Sequence, residues 1–380
     1  MKKSTKNILL VHSSNDLYGA SKIILNIVEF FISEGYEIHL FLPNKGSLDN
    51  NPLIKKCKLK TIELGVFRKK YFSFFGLVNR LYFIIKSSIL IRKYILKNRI
   101  DLVYVNTSTI ISPAIAAKLI NVPTIYHIHE IPNSSKIYTK FLVNFFTLFS
   151  KKVISVSKSV KNYWIFNGLS EDKITTIYNG FKFDFKSNNK STSKKITFTN
   201  ISRIIPYKGH LFLIELFNEL LKFRKDLTLN IIGDTLPEYE FYFNELKEKV
   251  IEHNLEQNIN FMGFKNDVKK YLNNSKFFIH CPISPDPLPN VIFEAIECNL
   301  PVICTNQGGA YEILDSGKNG LLIDSLSTIK SSDLICKYID DKDLQQINID
   351  NSKSFVEKNF QKSSFNNNLK KIISDLVNKT

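Results

Sequence analysis

Short runs of β-branched and apolar residues alternate with longer segments of helical apolar spacing along most of the chain. Strand patterns fall at residues 7–14, 36–43, 101–108, 123–130, 153–157 and 174–180, with helical patterns at 21–35, 114–120 and 158–168. A second series follows. Its strands are at 196–202, 227–233, 258–263, 276–282 and 301–305, and its helices at 210–223, 238–254 and 267–274. Strands that alternate with helices form a parallel sheet covered on both faces. Residues 182–195 are polar and poor in apolar side chains, as a linker is. The expected fold class is therefore α/β, with two doubly wound, Rossmann-like domains. At 380 residues the chain is long enough for two such units. We place the first domain at 1–185, the second at 196–360, and a separate amphipathic helix at 361–380. Ligands of such sheets bind beyond the carboxyl ends of the strands, so two facing domains would put a cleft between those ends.

Several classes of protein are excluded. The five cysteines, Cys57, Cys281, Cys298, Cys304 and Cys336, are scattered without a C-x-x-C pair. That speaks against a zinc site or a disulfide framework and for a reducing compartment. The apolar run after Met1-Lys2-Lys3 ends too soon for a signal peptide and reads as a first strand. No stretch looks apolar enough to span a bilayer. The charge is uneven: residues 1–180 hold 26 Lys and Arg against 10 Asp and Glu, or +16 of the total +17. Residues 66–100 contain nine bases, eight interleaved Phe and Tyr, and no acid. Such a segment suits an anionic membrane interface. The competing reading of 81–95 is a core helix whose lysines snorkel. Residues 134–163 begin with a second acid-free stretch of this kind. The aromatics lie in long apolar runs and no RNA or DNA motif is present, so nucleic acid is not the expected partner.

Residues 284–314 concentrate the chemistry. Asp286-Pro287 with Pro289 reads as a helix start, 291–298 as helix, 301–305 as a buried strand, and Gly308-Gly309 as a tight turn. If the steps from Asp286 to Glu294 were all helical, the two acids would lie about 12 Å apart along the axis. One acid would take sugar hydroxyls and the other ribose hydroxyls, with a diphosphate over the helix N-terminus between them. Its donors would be the N–H groups of Leu288, Asn290 and Val291, because Pro289 has none. The plainer alternative is that Asp286 caps the helix and Glu294 is a solvated acid. Upstream, Arg203 and Lys208 follow a strand, with Gly209 after the lysine. A guanidinium fork and an ammonium five positions apart can converge on a diphosphate. His127 and His129 share a face of one strand, but with no third ligand they do not make a metal site. Asp341-Lys342-Asp343 satisfies Asp-x-Asp only formally and reads as a solvated face.

The stretch from Asp286 to Ile313 closely resembles the donor-site signature of retaining GT-B glycosyltransferases of family 4. That pattern has Glu, seven residues, Glu, then Ala, a Pro-Val pair and a Gly-Gly turn. The one departure is Asp286 in place of the first Glu. Arg203, Lys208 and Gly209 are similar to the family's Gly-Arg-x-x-x-x-Lys-Gly, with Ser202 for the usual Gly. Gly19-Ala20-Ser21 resembles, less strictly, its first-domain loop near the donor phosphate. The resemblance implies a GT-B fold whose final helix crosses back to the first domain. It implies a UDP- or GDP-sugar donor and retaining transfer without a metal or other cofactor. His129 would hydrogen-bond a donor hydroxyl and stabilise oxocarbenium-like charge. The acceptor would be a saccharide, commonly lipid-linked, in bacterial surface polysaccharide or lipopolysaccharide assembly. The enzyme would be cytoplasmic, on the inner face of the plasma membrane. A hexose or N-acetylhexosamine is the expected sugar. The rival readings are a sugar-nucleotide epimerase on the same fold and a non-catalytic, membrane-associated sugar-nucleotide-binding subunit. Arg203, Lys208 and the acid pair argue for the transferase.

Overall fold

The structure, a computed structural model, describes residues 6–16, 19–67, 73–132, 135–185 and 195–377. The chain divides into two compact units, Met1–Phe181 with Lys362–Thr380, and Lys182–Gln361.

The first unit holds seven strands: β1 (Asn7–Val11), β2 (Glu37–Leu42), β3 (Lys58–Thr61), β4 (Ile100–Val105), β5 (Thr124–Ile128), β6 (Lys152–Ser155) and β7 (Ile174–Thr176). All pair in parallel, in the order β3-β2-β1-β4-β5-β6-β7. Its helices are α1 (Gly19–Ser33), α2 (Phe74–Lys97), α3 (Ser112–Lys118), α4 (Lys136–Phe149) and α5 (Lys158–Phe166). Helix α1 starts two residues earlier than its apolar spacing suggests, because Gly19 and Ala20 join it; Leu17 and Tyr18 lie outside the described residues. Burial on both faces explains the continuous apolar runs of β1, β2, β4 and β5. β3 breaks this rule. Its KLKT side chains are all exposed because it is the sheet's edge, and it has no apolar pattern to find.

The second unit holds β8 (Ile196–Ile201), β9 (Leu227–Ile232), β10 (Ile259–Gly263), β11 (Phe277–His280), β12 (Val302–Thr305) and β13 (Leu321–Ile323). These are also all parallel, in the order β10-β9-β8-β11-β12-β13. Its helices are α6 (His210–Phe223), α7 (Glu240–Glu252), α8 (Lys269–Leu272), α9 (Asn290–Glu297), α10 (Gly308–Ile313), α11 (Thr328–Asp340) and α12 (Lys342–Asn359). The Gly308-Gly309 turn is thus the first turn of a short helix. Asp341 caps α12, accepting a bond from the Leu344 N–H at 2.9 Å, which accounts for the Asp-x-Asp match. Of the linker at 182–195, residues 186–194 lie outside the description. Residues 182–185 pack in the second unit, with the Asp184 N–H 2.8 Å from Glu297.

The last helix, α13 (Lys362–Val377), returns to the first unit. Phe365, Leu369 and Ile373 are buried in the same apolar cluster as Ile23, Ile27 and Phe31. Lys362 pairs with Glu29 on α1, and Lys370 with Glu34 just after its end. In each unit the strand order reverses next to the first strand, between β1 and β4 and between β8 and β11. Such reversals open a crevice at the strands' carboxyl ends.

Helix α2 needs one correction. By length and composition it could cross a bilayer, against the expectation from sequence. One face packs into the first unit through Ile84, Ser87, Ser88, Ile91 and Ile95. The other is open: Phe74 and Phe75 are 77% and 83% exposed, and Val78, Leu81, Tyr82, Ile85 and Ile89 lie between 52% and 58%. The core-helix reading of 81–95 therefore holds for only one side of it. Arg68, Lys69, Lys70, Tyr71 and Phe72 lie outside the described residues.

Candidate functional site

In the second unit, Arg203, Lys208 and Asp286 come together at the β8/β11 crevice. Arg203 stands exposed just after β8. Lys208 ends a short turn whose next residue, Gly209, has φ +75°. A Cβ on Gly209 would meet the Cys281 carbonyl oxygen at 1.9 Å, so only glycine lets the lysine turn lie against the end of β11.

The Lys208 ammonium pairs with Asp286 Oδ2. The same oxygen accepts a bond from His280 Nε2 at 3.1 Å. Among the described residues Oδ1 has no partner. Burial alone would raise the Asp286 pKa, but the Lys208 charge and the His280 bond overcome it and hold the carboxyl well below its usual range. Burial depresses the His280 pKa, and the ring is neutral. Tyr207 is electrostatically coupled to both Arg203 and Asp286, which places all three in one neighbourhood.

The main chain around Asp286 is fixed by the two glycines. The Gly309 N–H donates to the Asp286 carbonyl at 2.7 Å. A Cβ on Gly308, whose φ is +61°, would come within 2.6 Å of the Asp286 nitrogen. The motif's glycines therefore shape the acid loop.

Asp286 is not a helix cap. α9 begins at Asn290 with Pro289 as its N-cap, and no side chain caps it. The four residues from Asp286 to Pro289 are non-helical, so the two acids are not spaced along one helix axis. Asn290 and Val291 are the first two helical residues, and their N–H groups have no acceptor within the helix. Leu288 is buried beside Gly309, and Glu294 lies half-buried on the second turn.

Sequence reasoning missed His280. A histidine inside an apolar strand run reads as core, and it is indeed only 1% exposed. Its bond to an acid six residues away is invisible in the order of residues. Ser202, where the family pattern has Gly, bonds His210 Nε2 at 3.0 Å. Burial lowers the His210 pKa to about 3.

In the first unit the corresponding crevice holds histidines. His129 Nε2 donates to Asn106 Oδ1 at 2.8 Å, and Asn106 also meets His12. Burial, then the neighbouring His127 and His12, pull the His129 pKa well down, so its ring is neutral and Nδ1 is an acceptor. The His127 ring lies 4.5 Å from that of His129, and its Nδ1 bonds Tyr104 at 2.9 Å. Glu130 turns inward and accepts from Thr107 Oγ1, Ser108 N and His129 N, which braces the loop after β4. Gly19 opens α1. Among the described residues no group of three or more His, Cys, Asp and Glu is placed to hold a metal ion.

Two family models cover most of the chain: residues 18–185 match Glycosyltransferase Family 4, and residues 181–355 match Glycosyl transferases group 1. The chain belongs to glycosyltransferase family 4. This family 4 chain is 26% identical over 239 residues to an uncharacterised glycosyltransferase of Methanocaldococcus jannaschii, covering 60% of this chain and 59% of that one. It is 25% identical over 201 residues to the Campylobacter jejuni N-acetylgalactosamine-N,N'-diacetylbacillosaminyl-diphospho-undecaprenol 4-alpha-N-acetylgalactosaminyltransferase, covering 50% and 52% of the two chains. These alignments thus span between half and two thirds of the relatives' lengths. In fold, the family 4 chain is similar to Anabaena HepE, solved in complex with UDP and glucose. The TM-score is 0.81 at 22% identity, over 97% of this chain and 99% of that one. The fold is GT-B, with two Rossmann-like domains.

Proposed function

We propose that this family 4 glycosyltransferase moves a sugar, with retention of configuration, from a UDP- or GDP-sugar to a lipid-linked or other saccharide acceptor in bacterial surface polysaccharide or lipopolysaccharide synthesis. The observation that carries the reading is the Asp286 carboxylate, pinned through Oδ2 by Lys208 and His280 with Oδ1 left for a sugar hydroxyl. Arg203, Lys208 and the N–H groups of Leu288, Asn290 and Val291 would receive the diphosphate, and Glu294 the ribose. Glycosyl transfer leaves negative charge on the departing nucleoside diphosphate. Fixed cations and a helix N-terminus stabilise that charge without help from a metal. The UDP and glucose bound by Anabaena HepE support a nucleotide-sugar donor here. His129 would hydrogen-bond the sugar through its neutral ring. Activity is tested by screening UDP- and GDP-sugars for nucleoside diphosphate release in excess chelator. Release from at least one donor is expected; a strict need for Mg²⁺ or Mn²⁺ would overturn the metal-free part.

The lipid-linked acceptor, the cytoplasmic location and the inner-membrane association belong to the same proposal. The Campylobacter relative is named for a diphospho-undecaprenol-linked substrate. On α2 the open apolar face lies among Arg80, Lys86, Arg92, Lys93 and Lys97, with no acid on the helix. Each base near an anionic surface is worth about 1 kcal/mol and is screened by salt. Sedimentation with phosphatidylglycerol vesicles should therefore exceed that with phosphatidylcholine and weaken as salt rises. Equal binding to both, or none to either, would remove the electrostatic part.

A further inference from the structure

Building on the donor-site reading above, we infer that His280 is a positioning residue. Its Nε2–H anchors Asp286 Oδ2 and turns Oδ1 towards the donor sugar, taking over part of the reach that a longer acid supplies in the family pattern. Three observations converge on this. His280 ends β11 at the strand-order reversal, 1% exposed, with Nε2 3.1 Å from Oδ2. Both of the carboxylate's partners, Lys208 and His280, use the same oxygen. The Asp286 main chain is already fixed by the Gly309 N–H and by close packing against Gly308, so carboxylate rotation is the freedom that remains.

The other face of the ring strengthens the assignment. His280 Nδ1 is buried without a hydrogen-bond partner. A carboxylate only accepts, so Nε2 carries the proton and Nδ1 is a bare lone pair. Leaving a buried polar atom unpaired is costly. A histidine that served packing alone would bring that cost with no return, and an apolar side chain would fill the strand better. Here the return is the bond to Asp286. The division of labour follows. When a diphosphate enters, Lys208 can swing to it on a flexible stem. His280 is held in a strand and cannot follow, so it keeps Asp286 ionised and aimed.

The test uses the nucleotide sugar that the wild type consumes in the screen above, and the matching free UDP or GDP. His280→Leu should lower kcat about 10- to 100-fold, the size of one hydrogen bond to a charged group. Nucleoside diphosphate affinity should stay within about twofold of wild type, because only the sugar end is disturbed. His280→Gln, whose amide N–H can stand in for Nε2–H, should recover most of the lost turnover. His280→Leu added to Asp286→Asn should cost little beyond Asp286→Asn alone, since both act through one carboxylate. Wild-type turnover in His280→Leu, a loss that Gln fails to restore, or fully multiplicative effects in the double variant would each overturn the assignment. If the wild type consumed no nucleotide sugar at all, the transferase reading would fall first and this assignment with it.

Discussion

Arg203→Ala should cut turnover about 10²- to 10³-fold, the effect of removing one fixed donor from a developing anion. Its melting temperature should barely move, because the side chain is exposed and lies on the crevice rather than in the core. Lys208→Ala should lose turnover to a similar extent but should also be destabilised. The Lys208–Asp286 pair is mostly out of water, with side chains 21% and 12% exposed. Breaking a buried pair typically costs about 3–5 kcal/mol because the surviving charge is stranded. We expect the low side of that range here, since the lysine keeps some contact with water and His280 still bonds Asp286. The contrast is diagnostic: both cations are assigned to one diphosphate, and Lys208 also holds a mostly buried pair with Asp286. Steady-state kinetics and thermal melts on both variants check it. Near-normal turnover in Arg203→Ala would remove that residue from the diphosphate site.

The second large effect separates the two acids. Asp286→Asn keeps the shape of the side chain but loses the charge that Lys208 and His280 hold. Turnover should fall sharply, about 10²-fold or more, while free UDP or GDP binds nearly as well as to wild type. Glu294→Gln should do the reverse at the binding step. If Glu294 holds the ribose, weakening that bond should lower free-nucleotide affinity about tenfold, as expected for a hydrogen bond to a charged group. Calorimetry with the free nucleotide distinguishes the two. Equal losses of nucleotide affinity in both variants would show that the acids do not divide donor recognition between sugar and ribose.

The two doubly wound sheets were legible because eleven of the thirteen strands lie in short apolar or β-branched runs between helical patterns, continuous where the strand is buried on both faces as in β1, β2 and β4. β3 was not legible, because KLKT sits on an edge with every side chain in solvent. β13 is three residues long and stops at Asp324, whereas the equally short β7 lies in the longer run 174–180. At the candidate site, Arg203, Lys208 and Asp286 were singled out from spacing and come together, while Leu288, Asn290, Val291 and Glu294 lie on the loop and helix that follow Asp286. The course of the chain between the acids was not legible. Asp-Pro with a second proline two residues on reads as a helix start, but α9 waits until Asn290, since Gly308 and Gly309 pack directly on the preceding loop. His280 shows the limit most clearly. Its role depends on a through-space bond that no local periodicity encodes. The exposed face of α2 was half legible: its bases and aromatics could be counted, but which side the fold covers is decided by packing against α3.

The central claim is transfer of a sugar from a nucleotide donor with retention, and real-time proton NMR of donor hydrolysis tests it most directly. UDP- and GDP-sugars of α configuration would be incubated with the protein in excess chelator, and the anomeric signal of the freed sugar read before mutarotation. The account predicts that at least one donor releases its nucleoside diphosphate and that the first sugar to appear is the α anomer. Initial release of the β anomer, or no consumption of any donor, would contradict it.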